Sequence, residues 1–440
     1  MLNSEFWIKQ SACDVEKKLV NHDELKRFRE ETAERMKDLG LAAEYTLFQD
    51  MKEKLSRQEL KDMMSNYSLP DNIPEDKLYG FDKNLHPRGW KEQLIEEANL
   101  DNIPEEVVAQ PALTTDRALI RAFPSNDTAA RSRDTIDVDL FQLTALPAAC
   151  PVQVWHYSRS GDWAYVQSEI YSGWMEKKYL ALAENREEVI EYIENDDFLV
   201  VKESHLQTEP NPFYPEVSNI QLQMGDTLPL MDSEKLPSEI PAGSTNGQSP
   251  AGCYPVKVPV ADKDGRLNFA PALIPGSARV QRGYVKLNRR NLIKAAFACL
   301  GERYGWGGLF NRRDCSRLIF DIYRLAGLVI PRDAGDPQEE GAAGRKIYFE
   351  GSREERLRQL QKLAPGDPLY LPGHVMVYLG EFQGKHYVIH AGAGYGRKEE
   401  NKVKSVTVHS VFVMELETLM QNKDKTYLEA LTVGCKFYQF

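Results

Sequence analysis

The sequence predicts an α+β protein of several modules, and three changes of pattern along its 440 residues carry that expectation. Residues 23–66 set apolar side chains at three- and four-residue steps between charged ones, the mark of amphipathic helix. From about Ala112 to Leu287 the pattern shifts to short β-rich runs broken by turn signals. After Asn291 helices come first and strands follow, an order that packs helices on an antiparallel sheet. A chain this long exceeds one hydrophobic core, so about two to four domains are expected.

Each element follows in order. HDELKRFREETAERMKDLG and YTLFQDMKEKLSRQELKDMM read as helix, and SLPDNIPEDKLYGFDKNLHPRGW, rich in Pro, Asp, Asn and Gly, reads as an irregular stretch that wraps a neighbour. ALIRAF, PVQVWHYS, WAYVQS and GWMEKKYLAL, parted by SRSGD and YSG, predict a small barrel of about five strands. FLVVKE, IQLQMGDTLPL, YPVKVPVAD and RVQRGYVKL predict a second β segment, in which SEIPAGSTNGQSPAG is an expected exposed loop. NLIKAAFACLGERYG and DCSRLIFDIYRLAG are predicted helices, the second stopped at Gly327. PLYLP, HVMVYLGE, HYVIHAG and KSVTVHSVFVME are predicted strands. The expected division is 1–110 (helical and irregular), 111–183 (first barrel), 196–288 (second barrel) and 289–440.

Composition narrows the function. With 42% hydrophobic and 28% charged residues the chain is of the folded globular kind. A net charge of -11 repels phosphate backbones and anionic lipid, so neither nucleic acid nor a membrane surface is an expected partner. No apolar run reaches membrane-spanning length. The start MLNSEFWIKQSACDVEKK lacks a basic region followed by an apolar one, so the chain as given is expected in the cytoplasm, or in the envelope if a leader has been removed. Six cysteines without paired close spacings are expected as free thiols.

Cys315 falls in the first turn of a predicted helix, directly after Asp314, a favoured N-cap. Free amides and the helix dipole there favour a thiolate and lower its pKa, and the same amides suit a developing oxyanion. The competing structural reading is a cysteine buried as a small hydrophobe. His374 opens an alternating strand beside Gly373, where a rim position competes with a place in a cleft. His390 ends the next strand and is placed to orient His374 by a hydrogen bond. A helix-capped cysteine followed by histidines on two neighbouring strands is the papain-like order. His386 and His390 do not form a metal pair, because four residues of strand hold their rings roughly 13 Å apart. His22, His86, His156, His205 and His409 have no ligand-spaced neighbours. The glycines of AGAGYG open no helix, which excludes a dinucleotide loop.

RYGWGG (303 to 308), RDCSRLIFDIYRLAGLVIPRDAGDPQ (313 to 338), PGDPLYLPGHVMVYLG (365 to 380) and VIHAG (388 to 392) together resemble the NlpC-type cell-wall cysteine peptidases. FQLTALPAACPVQVWHYSRSGDWAYVQSEIYSGW resembles a bacterial SH3-like barrel, the second β segment resembles the second such barrel of multidomain members, and SEFWIKQ with its following helices resembles their N-terminal stabilising region. The resemblance implies a papain-like C-terminal domain behind two SH3-like barrels. It also implies hydrolysis of the γ-D-glutamyl bond to a diamino acid such as diaminopimelate in peptidoglycan stem peptides, through a thioester. No cofactor or metal is implied.

The same resemblance makes Cys315 the nucleophile, His374 the base and then acid, and His390 the residue that orients it. It makes Tyr304 a contributor to the oxyanion site, Asp314 and Ser316 substrate contacts, and Asp333 the partner of the stem peptide's free amine. A core aromatic remains the alternative for Tyr304, and a capping carboxylate the alternative for Asp333. Two departures bear on specificity: Arg317 stands where relatives often have glycine, and Ala334 where serine is frequent. Partners are expected to be stem peptides or muropeptides, the first barrel is expected to close one end of the cleft, and the chain is expected to be a monomer. The rival readings are a papain-like amidase or acyltransferase, a non-catalytic wall-binding protein, and an adaptor for proline-rich peptides.

Overall fold

The computed structural model describes the whole chain except residues 136, 232–244, 246, 401 and 440. Most of the expected 238–252 loop therefore lies outside the described residues. Two compact units are present: Met1–Tyr45 with Tyr284–Gly305 and Phe310–Phe440, and Thr46–Gly283 with Trp306–Leu309.

The first unit begins with helices α1 (Ser4–Gln10) and α2 (His22–Asp38). Asn21 and Glu24 close α2 with a reciprocal capping box, which satisfies orphan amides at its start. Trp7 of α1 is fully buried and meets Tyr387 with ring centroids 5.2 Å apart, and Glu5 pairs with Arg290 and Lys294. Thr32 of α2 accepts a hydrogen bond from the Ala343 amide.

In the second unit β1 (Lys54–Ser56) pairs with β2 (Glu106–Val108) and is followed by α3 (Arg57–Met64) and α4 (Trp90–Glu97). The predicted helix over 45–64 is therefore only its last turns. Leu55 pairs with Val107 instead, because a long-range strand partner outweighs local helical spacing.

A seven-stranded antiparallel sheet follows: β3 (Gln110–Thr114), β4 (Ala118–Arg121), β5 (Gln142–Leu146), β6 (Pro151–Tyr157), β7 (Trp163–Gln167), β8 (Ser172–Glu176) and β9 (Leu180–Leu182), in the order β5-β4-β8-β7-β6-β3-β9. Inside it Arg121 is buried against Asp139 at 2.5 Å. Helix α5 (Arg186–Ile193) leads to β10 (Phe198–Val201), β11 (His205–Gln207), β12 (Gln221–Gln223), β13 (Thr227–Pro229), β14 (Cys253–Ala261), β15 (Leu267–Pro275) and β16 (Val280–Arg282). These strands enclose a core that includes Leu199, Val201, Leu222, Val256, Val258 and Ile274.

The chain then returns to the first unit with α6 (Arg289–Ala298) and α7 (Cys315–Arg324). Strands β17 (Arg345–Tyr348), β18 (Pro368–Leu371), β19 (His374–Phe382), β20 (Lys385–Glu399), β21 (Lys402–Glu415) and β22 (Val433–Lys436) form one antiparallel sheet in the order β17-β22-β18-β19-β20-β21. Two short helices, α8 (Arg353–Leu360) and α9 (Tyr427–Ala430), join this sheet's core. Among the described residues no helix is long and apolar enough to cross a membrane. AGAGYG runs inside β20.

Candidate active site

Helix α7 sets the sulfur. Asp314 is its N-cap and accepts the Arg317 amide at 2.8 Å, so Cys315 occupies the first helical position with its neighbours fixed. The helix carries apolar residues through its whole length, Leu318, Ile319, Phe320 and Ile322 all being buried. This anchors its head against the sheet. Arg317, the bulky departure next to the site, turns along the helix: its Nε meets Asp321 at 2.7 Å, and Arg313 grips the other oxygen of Asp321 at 2.7 Å. All three side chains are buried, so Arg317 is held in an ion cluster with residues of its own helix and the segment before it.

A two-residue turn sets the imidazole. Leu371 pairs with His374 across Pro372 and Gly373. Gly373 has φ +72°, a conformation that glycine adopts without strain after a proline. His374 is thus the first residue of β19. The amides of Val375, the residue after His374, and of Ser316 favour the ionised form of the Cys315 sulfur, and the helix that Cys315 opens packs against β19 and β20. His374 Nε2 lies 2.6 Å from His390 Nδ1, with the rings at 76°. His390 is buried against Phe412 at 4.4 Å. Its Nε2 has no hydrogen-bond partner among the described residues.

The electrostatics differ from the expectation of an ionised thiol. Burial first, then the Asp314 carboxylate, push the Cys315 pKa up to about 12; the Val375 amide, Arg332 and the Ser316 amide act the other way without prevailing. Burial also lowers His374 to about 4, partly offset by Asp314, and holds His390 well below the usual imidazole value. The helix head does favour the thiolate, but withdrawal of a charge from water is the larger effect at this site. Burial at this site thus favours the uncharged thiol and the uncharged imidazole.

The other expected residues are placed as follows. Tyr304 is half-buried in a segment that pairs with both neighbours: its amide donates to His409 O at 2.9 Å, and the Gly305 amide donates to Arg313 O at 2.9 Å. This sets Tyr304 beside the chain entering the nucleophile helix. Asp314 and Ser316 are buried and both bind Arg332, at 2.5 and 2.7 Å. Asp333 lies 3.5 Å from Arg332. It also shares a field with Asp336 and Glu44, whose carboxyl is raised to about 7 by burial and by those two neighbours.

Glu44 and Arg332 were outside the expected set. Nothing in local spacing ties Glu44 to Asp333, whereas the Arg-Asp pair of PRDAGDPQ was a usable signal for Arg332. His386 does not join His390; its Nδ1 bonds the Tyr378 hydroxyl at 2.6 Å. Among the described residues no group of three or more His, Cys, Asp or Glu is placed to hold a metal. All six cysteines are free.

The model of the NlpC/P60 family matches residues 301–414. The chain carries an NlpC/P60 domain. A model of the SH3 domain, SH3b1 type, matches residues 122–176, so an SH3b domain precedes the papain-like NlpC/P60 domain. Over 131 residues the chain is 30% identical to Dipeptidyl-peptidase 6 of Lysinibacillus sphaericus, a match covering 30% of this chain and 41% of that protein. A solved structure described as a novel NlpC/P60 endopeptidase from Photobacterium damselae subsp. piscicida shares the fold, with TM-score 0.76 over 99% of this chain and 97% of that one at 16% identity. An NlpC/P60 family protein from Bacillus cereus ATCC 10987 aligns over 74% of this chain and 99% of its own at 19% identity and TM-score 0.48.

Proposed function

We propose that the chain is a cysteine endopeptidase that hydrolyses the γ-D-glutamyl–diaminopimelate bond of peptidoglycan stem peptides through a thioester, with Cys315 as nucleophile, His374 as base and His390 orienting it. The observation that carries this reading is His374 Nε2 lying 2.6 Å from His390 Nδ1, on two strands that pack against the helix whose first residue is Cys315. Its division into the modules 1–110, 111–183, 196–288 and 289–440 is part of the same proposal.

An uncharged thiol and an uncharged imidazole define the first step. His374 donates through Nε2 to His390 Nδ1, leaving its Nδ1 lone pair to take the thiol proton as the sulfur attacks the carbonyl carbon. The imidazolium then protonates the leaving amine, the C–N bond breaks, and a thioester remains. Water attacks that thioester with His374 again accepting the proton; the C–S bond breaks, the imidazolium returns the proton to sulfur, and the free acid leaves. The oxyanion is received by amides at the head of α7 and by the Tyr304 hydroxyl. Asp314 and Ser316 border the substrate's path. Asp333, with Glu44 and Asp336 near it, supplies negative charge for the peptide's free amine.

Digestion of defined tri- and tetrapeptides, with and without glycan, by wild type and Cys315→Ala tests the proposal. Mass analysis is expected to show cleavage after the γ-D-glutamyl residue by wild type alone, and a hydroxylamine-trapped acyl product. Cleavage at another bond, or equal cleavage by the variant, refutes it.

A further inference from the structure

One buried charge has no part in the chemistry above. Arg332 is 2% exposed, and a guanidinium taken out of water needs close partners. Besides Asp333, its partners include the residues on either side of the sulfur: one nitrogen meets Asp314 Oδ2 at 2.5 Å and another donates to Ser316 Oγ at 2.7 Å. Ser316 Oγ in turn donates to Asp314 Oδ1 at 3.2 Å, closing a ring around the start of α7.

The backbone that carries Arg332 is itself held. Gln338, fully buried, donates to Pro331 O at 2.8 Å and Arg332 O at 3.3 Å, and accepts from the Tyr370 hydroxyl at 3.0 Å. Tyr370 lies in β18, the strand whose turn delivers His374. One line of hydrogen bonds therefore runs from the strand before the base to the two residues flanking the thiol. The arrangement also answers a charge problem. Asp314 is buried next to an atom that becomes negative, and a cation against Asp314 offsets that opposition.

We propose that Arg332 is a positioning residue: it clamps Asp314 and Ser316 so that the sulfur between them faces His374, and it offsets the Asp314 carboxylate as charge develops on sulfur. The proposal rests on the peptidase reading of the site, but its test does not need that reading to hold.

The experiment uses the full chain as wild type, Arg332→Gln and Arg332→Lys. Two quantities are measured at pH 7: the alkylation rate of Cys315 by iodoacetamide, followed by peptide mapping to separate it from the other thiols, and kcat and KM on a stem tripeptide. Arg332→Gln is expected to slow alkylation about tenfold and lower kcat about 100-fold with KM within about twofold, since a small misplacement of reacting groups has that effect. Arg332→Lys keeps the charge without the planar fork, and is expected to recover about tenfold of the lost kcat.

Alkylation and kcat within about twofold of wild type in Arg332→Gln overturn the proposal. So does a loss confined to KM, which makes Arg332 a substrate contact instead. If Arg332→Gln fails to fold by circular dichroism, Arg332→Lys decides: slowed alkylation in a folded protein supports the proposal, and wild-type alkylation overturns it. A wild-type chain that cuts no stem peptide refutes the peptidase reading, while the alkylation rates still judge Arg332.

Discussion

Strands β19 and β20 carry two histidine pairs built to the same distance. His390 Nδ1 meets His374 at 2.6 Å, and His386 Nδ1 meets the Tyr378 hydroxyl at 2.6 Å. Both rings are buried, and burial lowers the pKa of His390 and of His386 alike. The difference is the third party. The first pair stands on strands that pack against α7, whose first residue is Cys315. The second stands beside the carboxyl of Glu417, which accepts the His386 amide at 2.7 Å and is raised to about 7, chiefly by burial. A short imidazole hydrogen bond between neighbouring strands is a packing device in the second pair; on the proposed reading it orients a base in the first, because there another element supplies a nucleophile.

That comparison is sharpened first by the residues with the largest expected effect. Cys315→Ala is expected to lower kcat/KM on a stem peptide by about 10⁴-fold or more, and His374→Ala by about 10³-fold. Steady-state rates with matched circular dichroism spectra check both. His390→Ala removes the bond to His374 together with a buried ring packed on Phe412, and a loss of about 10- to 100-fold, mainly in kcat, is expected. Loss equal to that of His374→Ala would give His390 a larger part than orientation.

The pH profile comes next. With His374 lowered to about 4, the base stays neutral from neutral pH down to that value, and protonation below it removes the lone pair. The kcat/KM profile should therefore fall about tenfold per unit only below about pH 4, with no limb from thiol ionisation between pH 7 and 9, because Cys315 is pushed up to about 12. A bell centred near neutrality would instead point to an ion pair at rest. The smallest effect belongs to the second pair. Tyr378→Phe is expected to leave kcat/KM within about twofold while lowering stability by about 1 kcal/mol, the worth of one buried hydrogen bond, as read by urea unfolding. A large loss of activity there would break the distinction between the two pairs.

The parts of the site that were legible in the sequence are those set by local rules. Asp314 before an apolar stripe announces a helix start, and Pro372-Gly373 before an alternating run announces a hairpin that delivers His374. The mixed helix and sheet class followed from the same kinds of signal, while the SH3b domain and the papain-like domain were implied by the resemblance of longer motifs. What was not legible depends on burial and distance. A helix-head cysteine reads as acidified until the surrounding protein is seen to exclude water from it. Arg332 reads as a surface charge until Asp314 and Ser316 close on it. Glu44 reaches the neighbourhood of Asp333 through the fold alone. Leu55 sits in a helical pattern, yet its β partner Val107 is far along the chain. Strands β17 and β22 and helix α9 are too short to show a period.

The bare Nε2 of His390 has a last consequence. Among the described residues nothing pairs with that atom. On the proposed reading the histidine pair therefore ends at His390, and the hydrogen that His374 takes from sulfur is handed back toward the reacting bond, which ties departure of the amine to the attack before it.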